Sequence, residues 1–525
     1  MKNTYLGQKG YTLKKSELSI EEQKKIRNDL TIKPFTGYSQ NTEQRCFPVY
    51  RESAQKFYVP HYYGINNFGN PKQYKIPTGE NIELNFAGKL RDYQEPVVNK
   101  FIDHCIAANY GGGLLELPCA WGKTSASLYI ISKLQKKTIV IVHKEFLMNQ
   151  WIERIQQFLP KARIGKIQGQ VIDTDDKDIV ICMLQSLSMK EYPASIFESF
   201  GLTIIDEVHH ISSEVFSNSL FKLVTKYMLG LSATMNRKDG TTHVFKMFLG
   251  EVIFKGKRDE PMNVVVHAIK YEVKDDEFNE VKLDYRGKPA YSTMISKLCE
   301  YNRRSEFILK VLTDMLLLNP EQQIMILAHN KNILKYLHDA INHRNIATVG
   351  YYIGGMKEAA LKETETKKVV IATYAMAAEA LDIKTLTTLI MATPKTDIEQ
   401  SVGRILREKH SSPVVVDIID SHDLFQNQWR KRKIFYKKEN YKIIYISSIN
   451  YTSDKKAWTT IFTPNLAGPK EHVKTNKKSI SKNSISSNSS TDKSIANESE
   501  EEEDDNPSET KDKYLCGKCL ISLKK

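Results

Sequence analysis

The 525-residue sequence lacks any apolar run of the ~18–20 residues that a membrane span needs; its longest, around Thr138 to Val142, is strand-sized. No membrane partner is expected. Met1-Lys2-Asn3-Thr4-Tyr5 lacks the apolar stretch of a secretory signal. Cysteine is sparse, with seven scattered residues, which excludes a disulfide framework and points to a soluble protein in a reducing, intracellular compartment. Arginine is scarce as well, 16 against 60 lysines, so an arginine at a motif position carries extra weight. Aromatics are missing between Phe462 and Tyr514, where Ser, Asn, Lys and Glu dominate. Such a stretch cannot bury enough apolar surface to offset its ordering entropy, so residues 463–525 are expected to form a disordered tail.

What is present defines the rest. Hydrophobic residues at 41% and aromatics at 10% are enough for true cores, which excludes a wholly disordered chain. Lys plus Arg number 76 against 62 Asp plus Glu, a net charge of +14, and this balance favours a polyanionic partner. Residues 470–525 contain 11 Lys, no Arg and 11 acids, so the whole excess belongs to the part before them. At roughly 150 residues per domain, about three domains are expected. Residues 1–85, rich in Tyr and Lys, read as a small N-terminal accessory region. Over 86–255, short β-rich runs (Gly113 to Leu117, Thr138 to Val142, Asp178 to Met183, Leu202 to Ile205, Met228 to Leu231) alternate with helix-length segments. The rhythm lapses over 256–300, read as a linker, and resumes over 301–450 with Gln323 to Leu327, Ala347 to Ile353, Val369 to Thr373, Thr388 to Ala392 and Val414 to Ile418. Largely apolar strands separated by helices predict buried parallel sheets, so the fold class is α/β with two such domains in tandem.

The strongest local signal is Leu117-Pro118-Cys119-Ala120-Trp121-Gly122-Lys123-Thr124, between an apolar strand and a helix pattern. That is the context of a P-loop, where backbone N–H groups and a helix N-terminus cradle phosphates. Lys123 would reach the β and γ phosphates and Thr124 would hold Mg²⁺. Leu117 stands where the pattern's first glycine falls, and bulky Trp121 precedes Gly122.

The second signal is Leu202-Thr203-Ile204-Ile205-Asp206-Glu207-Val208-His209-His210, an apolar strand ending in two acids. Asp206 at a strand end can hold Mg²⁺ through water, and Glu207 can take a proton from an attacking water. An isolated acidic pair is more often an exposed turn. After a P-loop within one α/β domain, the catalytic reading prevails.

These residues resemble the DExH-type helicases and translocases of superfamily 2, with Asp206-Glu207-Val208-His209 as the name-giving box. Leu231-Ser232-Ala233-Thr234 looks like motif III, so the resemblance implies that His209, Ser232 and Thr234 couple nucleotide state to nucleic-acid binding. Gln400-Ser401-Val402-Gly403-Arg404-Ile405-Leu406-Arg407 fits motif VI, and Ala372-Thr373 through Glu379-Ala380-Leu381-Asp382-Ile383 resembles motif V. Tyr93-Gln94 is similar to the upstream element whose glutamine reads adenine. The resemblance covers about residues 88 to 420 in the family's order. It implies two tandem RecA-like lobes, ATP and Mg²⁺ as cofactors, and a nucleic-acid partner. Gln94, Pro118, Cys119, Ala120, Trp121, Gly122, Lys123, Thr124 and Asp382 would bind nucleotide. Gln400, Arg404 and Arg407, at i, i+4 and i+7, would share one helix face and reach the γ-phosphate.

Finer details resemble one branch, that of the TFIIH repair-and-transcription helicase, UvsW-type phage helicases and helicases of large DNA viruses. Pro118-Cys119, His143-Lys144 and Asn236-Arg237-Lys238-Asp239 carry this likeness; Lys238 stands where the branch has Glu. The branch favours duplex DNA, with RNA as the alternative track, and implies the nucleus or cytoplasm of a host cell, or a virus particle. Nucleic-acid contacts are expected from His143, Lys144, Gln185, Ser186, Asn330 and Thr373, with each residue type equally suited to a cap or turn. Arg430-Lys431-Arg432-Lys433-Ile434-Phe435-Tyr436-Lys437-Lys438 either tracks phosphates or packs its aromatics on the second lobe. Cys516-Gly517-Lys518-Cys519 is half a zinc site, and with the acidic run Glu498 to Asp505 it makes the tail a candidate for a protein partner. Two rival classes remain beside the helicase: an ATPase that remodels protein–nucleic-acid complexes without separating strands, and a non-catalytic scaffold.

Overall fold

The computed structural model describes residues 2–35, 46–108, 110–118, 121–212, 214–235, 237, 239–256, 263–379, 383–406 and 412–464. Cys119, Ala120, Lys238, Asp382, Arg407 and the terminal Cys516 and Cys519 lie outside them, as does the expected tail from residue 465. Two compact units are present. The first is Met1–Asn263 with Ala378–Thr385 and Glu399–Pro413; the second is Val264–Ala377, Leu386–Ile398 and Val414–Lys525.

The first unit is built on an eight-stranded sheet. Its order is Val171–Asp173, Ile164–Gln168, Ile179–Met183, Thr138–Val142, Leu202–Ile205, Tyr227–Ser232, Gly111–Glu116 and Val252–Lys255. Every pairing is parallel except that of the edge strand Val171–Asp173 with its neighbour Ile164–Gln168. All five residues of Thr138–Val142 are buried, as expected for a central strand covered on both faces. Each such Ile or Val contributes roughly 1.5–3 kcal/mol through burial. The central strands end at one edge of the sheet in Glu116, Val142, Ile205 and Ser232, so the loops that follow them gather there.

The N-terminal zone is more than an appendage. Arg51–Glu52, Lys56–Val59, Gly10–Lys14, Tyr5–Gly7 and Gln73–Tyr74 form a five-stranded sheet in that order. Its inward residues Leu6, Tyr11, Leu13, Phe57 and Val59 belong to the same buried cluster as Leu114, Ile139 and Ile205 of the large sheet. The Tyr62 hydroxyl accepts from the Gly112 amide at 2.6 Å, tying the zone to the strand that leads into the P-loop. Gly64 lies so close to the Tyr11 ring that a Cβ would overlap it.

The second unit repeats the plan. Its sheet runs Val349–Tyr352, Val369–Thr373, Gln323–Ala328, Leu386–Met391, Val414–Asp420, Val265–Tyr271, Lys442–Ser447 and Thr459–Phe462, parallel but for the last pair. The stretch 256–300 therefore departs from its reading as a linker: Val265–Tyr271 is an interior strand and Tyr291–Glu300 a helix. The strand was disguised by His267 and Lys270 in its run; His267 is buried, its ring tilted against Trp458 at 5.3 Å. The sheet also extends past residue 450, to Phe462.

Two fully buried ion pairs lock this unit. Arg304, on helix Asn302–Leu318, grips Asp420 through Nε (2.6 Å) and Nη2 (2.8 Å). Arg432, on helix Asp423–Lys438, grips Asp417 through Nε (2.8 Å) and Nη2 (2.9 Å), and the Tyr436 hydroxyl donates to the same carboxylate. The basic stretch 430–438 is thus no uniform phosphate track. Arg432 and Tyr436 are buried, while Arg430, Lys431, Lys437 and Lys438 are exposed.

Candidate active site

Lys123 opens helix Lys123–Leu134, and its N-cap Gly122 sits in the left-handed region at φ +92°. Glycine is required there on two counts: the backbone conformation, and the Gln94 amide that would meet any Cβ. Gln94 is 3% exposed, and both amide atoms are engaged. Its Nε2 donates to Trp121 O at 2.8 Å, and its Oε1 accepts from Arg91 N at 2.9 Å. The residue expected to read adenine therefore also staples the P-loop. Tyr93 packs edge-on against Trp121 at 5.4 Å, so the bulky residue before Gly122 has a nest of its own.

The strand Leu202–Ile205 delivers Asp206 and Glu207 beside this helix. The Lys123 ammonium donates to Glu207 Oε1 at 2.8 Å. Glu207 has φ +47°, a turn that lets its own N–H donate to Asp206 Oδ1 at 3.0 Å. The second Asp206 oxygen, Oδ2, accepts from the indole N–H of Trp151 at 3.0 Å. Burial and the adjacent Glu207 charge raise the Asp206 pKa, against the pull of Lys123 and Trp151. Burial works the same way on Glu207, but Lys123 and His209 outweigh it and hold that carboxyl at about 2.

His209 continues the chain of contacts. Its Nδ1 lies 3.0 Å from Ser232 Oγ and 3.5 Å from Glu207 Oε2. Ser232 donates its hydroxyl proton to Thr234 O at 2.6 Å, so the imidazole is the donor to Ser232 Oγ. The three residues expected to couple thus form a chain, Glu207 to His209 to Ser232 to Thr234, each touching the next. The structure adds Arg237, whose Nη1 donates to His209 O and whose Nε meets Asp239 Oδ1 at 3.0 Å.

These groups suit nucleotide and Mg²⁺. The Thr124 hydroxyl and the Asp206 carboxylate are hard oxygen ligands, and Asp206 spends one lone pair per oxygen on its two donors. Glu207 Oε2 is buried with no hydrogen-bond partner among the described residues.

Comparison with known proteins shows the family. The family model described as "Type III restriction enzyme, res subunit" matches residues 87–237. The L396 protein of Acanthamoeba polyphaga mimivirus, which carries the name of an ATP-dependent RNA helicase, is 34% identical over 448 residues, covering 83% of this chain and 85% of its own. The chain belongs to the superfamily 2 helicases of large DNA viruses. Helicase 161L of Invertebrate iridescent virus 6 is 27% identical over 412 residues, 74% of this chain and 90% of its own. Among solved structures, S. cerevisiae Dbp5 bound to RNA and ADP BeF3 shares the fold, with a TM-score of 0.50 at 13% identity over 70% of this chain and 92% of that one.

Elsewhere in this helicase the expected contact residues divide. His143 is buried; its ring stacks on His210 at 3.9 Å, and burial with the neighbouring Lys144 lowers its pKa to about 4. It packs against His210 rather than lying at the surface. Lys144, the N-cap of helix Glu145–Phe158, is half-buried. Gln185 donates to His143 O at 2.6 Å, and Ser186 Oγ accepts from Gly169 N at 2.9 Å, so both shape loops. Asn330 reaches Ser296 at 3.3 Å. Thr373 is 5% exposed, and its hydroxyl caps helix Tyr374–Glu379 through Met376 N. In motif VI the helix expected to carry Gln400 and Arg404 on one face is regular only as far as Gly403. Glu399–Gly403 is one helical turn followed by a 3₁₀ turn at Arg404–Leu406, in which Gln400 is half-buried and Arg404 buried. Sequence reasoning used Arg237 and Asp239 only as marks of the branch and gave Trp151 no part in the site. An indole seldom lies buried without a partner for its N–H, and with four Trp in the chain that question was open to asking.

Proposed function

We propose that this helicase uses ATP hydrolysis at the Lys123–Asp206–Glu207 centre to move along and unwind duplex nucleic acid, with DNA as the favoured track. The observation that carries the reading is the unbroken path Lys123–Glu207–His209–Ser232, which joins the P-loop to motif III. In it, Lys123 and the amides at the start of helix Lys123–Leu134 bind the phosphates. Thr124 and Asp206 would hold Mg²⁺, which when bound neutralises phosphate charge. Glu207 takes the proton of the attacking water at Oε2. Arg404, with Gln400 and Arg407, offsets the charge that develops on the γ-phosphate. Gln94, Pro118, Trp121, Gly122 and Asp382 frame the nucleotide. Lys144, Gln185, Ser186, Asn330 and Thr373 line or brace the nucleic-acid path.

The preference for DNA rests on Asn236-Arg237-Lys238-Asp239 and on Pro118-Cys119. RNA is the second reading, supported by the name that mimivirus L396 carries. Strand displacement on matched DNA and RNA duplexes, with Lys123→Ala as control, tests the proposal. Unwinding of DNA is expected; activity on RNA alone overturns the preference, and equal ATP hydrolysis by wild type and Lys123→Ala overturns the centre itself.

A further inference from the structure

Asp206 and Trp151 come from different elements, the end of strand Leu202–Ile205 and the middle of helix Glu145–Phe158. Trp151 is 1% exposed and is among the largest fully buried side chains in the chain. Leu147, Met148 and Ile155 are buried on the same helix, so the indole has little freedom to swing. An indole N–H is a donor only and has one hydrogen to give. That hydrogen is spent on Asp206 Oδ2 at 3.0 Å, while the Glu207 amide takes Oδ1 at 3.0 Å. Two donors on two different oxygens leave the carboxylate no rotation about its Cβ–Cγ bond without breaking one of them. The Glu207 amide alone would leave Oδ2 to pivot.

We infer that Trp151 is a positioning residue for the metal-facing carboxylate: its N–H sets the plane of Asp206 and thereby the affinity for Mg²⁺ with nucleotide. Groups that hydrogen-bond a metal ligand commonly govern metal affinity by about 10–100-fold. The bond does not touch substrate, so its loss weakens Mg²⁺-dependent binding far more than it slows the chemical step. The inference rests on the proposed role of Asp206 as the Mg²⁺ residue.

The test is equilibrium binding of a fluorescent ATP analogue, with Mg²⁺ titrated into full-length protein. Trp151→Phe keeps most of the ring volume and removes the N–H. A second substitution, Trp151 to β-(3-benzothienyl)alanine, keeps the bicycle and exchanges N–H for sulfur, so it serves if the phenylalanine variant does not fold. Either is expected to raise the Mg²⁺ concentration for half-maximal binding by about tenfold or more, with binding in EDTA unchanged. In steady-state hydrolysis, KM for Mg²⁺-ATP rises while kcat at saturating Mg²⁺ changes by less than about threefold. In an Asp206→Asn background the Trp151 substitution adds nothing. If Asp206→Asn removes the Mg²⁺ dependence but neither Trp151 replacement shifts it, the inference is overturned and the Asp206 role stands. If Asp206→Asn leaves the Mg²⁺ dependence intact, the Asp206 role fails and the inference falls with it. Loss of stability with an unshifted Mg²⁺ midpoint is the mark of a packing residue and also overturns it.

Discussion

The Lys123 ammonium and the Glu207 carboxylate are partners across 84 positions of sequence, 2.8 Å apart. In the proposed mechanism this pairing ties Lys123 to the base, which must be released before it accepts a proton. Phosphates arriving at the P-loop compete for that ammonium and leave Glu207 more basic. Glu207→Gln is expected to retain nucleotide binding while hydrolysis falls by about 10²–10⁴-fold, the usual worth of a positioned general base. Lys123→Ala should lose binding and hydrolysis together. Fluorescent-nucleotide titration beside phosphate release separates the two; a Glu207→Gln variant that hydrolyses normally refutes the assignment.

His209 and Ser232 make a direct bond, and neither occupies a phosphate-cradling position. Removing one should therefore disconnect hydrolysis from movement rather than stop it. In Ser232→Ala, ATP hydrolysis is expected to persist within about tenfold, since one hydrogen bond is worth on the order of 1 kcal/mol. Strand displacement per ATP consumed should drop much further. Measuring both rates on one substrate checks this, and a parallel fall in the two counts against coupling.

Arg432 and Asp417 are both buried, so deleting one strands the other. Arg432→Ala should destabilise the second unit by roughly 3–5 kcal/mol, the cost of an uncompensated buried charge. Replacing both partners by apolar residues of similar volume should cost much less. Urea denaturation of the single and double variants compares them. A milder single variant would mean that water reaches Asp417.

Asp239 supplies a pH dependence. Burial raises its carboxyl, but bonds from Arg237 and Thr241 prevail and hold it at about 2, against an ordinary value near ~3.9. The folded pKa is depressed, so the stabilisation is complete above pH ~5 and drains away as pH falls through ~4 toward ~2. It amounts to roughly 2 kcal/mol at neutral pH. Melting curves of wild type and Asp239→Asn should differ by a constant gap above pH ~5 that closes on acidification. A gap that widens in acid contradicts the assignment.

Much of this was legible in the sequence, and the physics says which part. Thr138 to Val142, Leu202 to Ile205 and Val369 to Thr373 are apolar but for one threonine each, and each is an interior strand with the expected bounds. Strands that carry polar residues escaped notice: Val265–Tyr271 holds His267 and Lys270, and Ile164–Gln168 lies beside a sheet edge. In the site, residue types singled out Lys123, Asp206 and Glu207, and the structure brings the three together. Burial was invisible. Nothing in Val142-His143-Lys144 distinguishes an imidazole stacked under His210 from one that faces a nucleic acid. Nor does spacing reveal that an indole 55 positions before Asp206 donates to it.

The N-terminal zone and the first sheet share one apolar core, in which Tyr11 and Phe57 stand with Ile139 and Ile205. A lobe that owns its core outright can be transplanted as a cassette; this one cannot. A chimera that joined residues from 86 onward to a foreign leader would present a bare hydrophobic wall and seek other company, in aggregates or chaperones. Exchange of working parts among such helicases must therefore carry the first 85 residues along with the P-loop, as a single heritable piece.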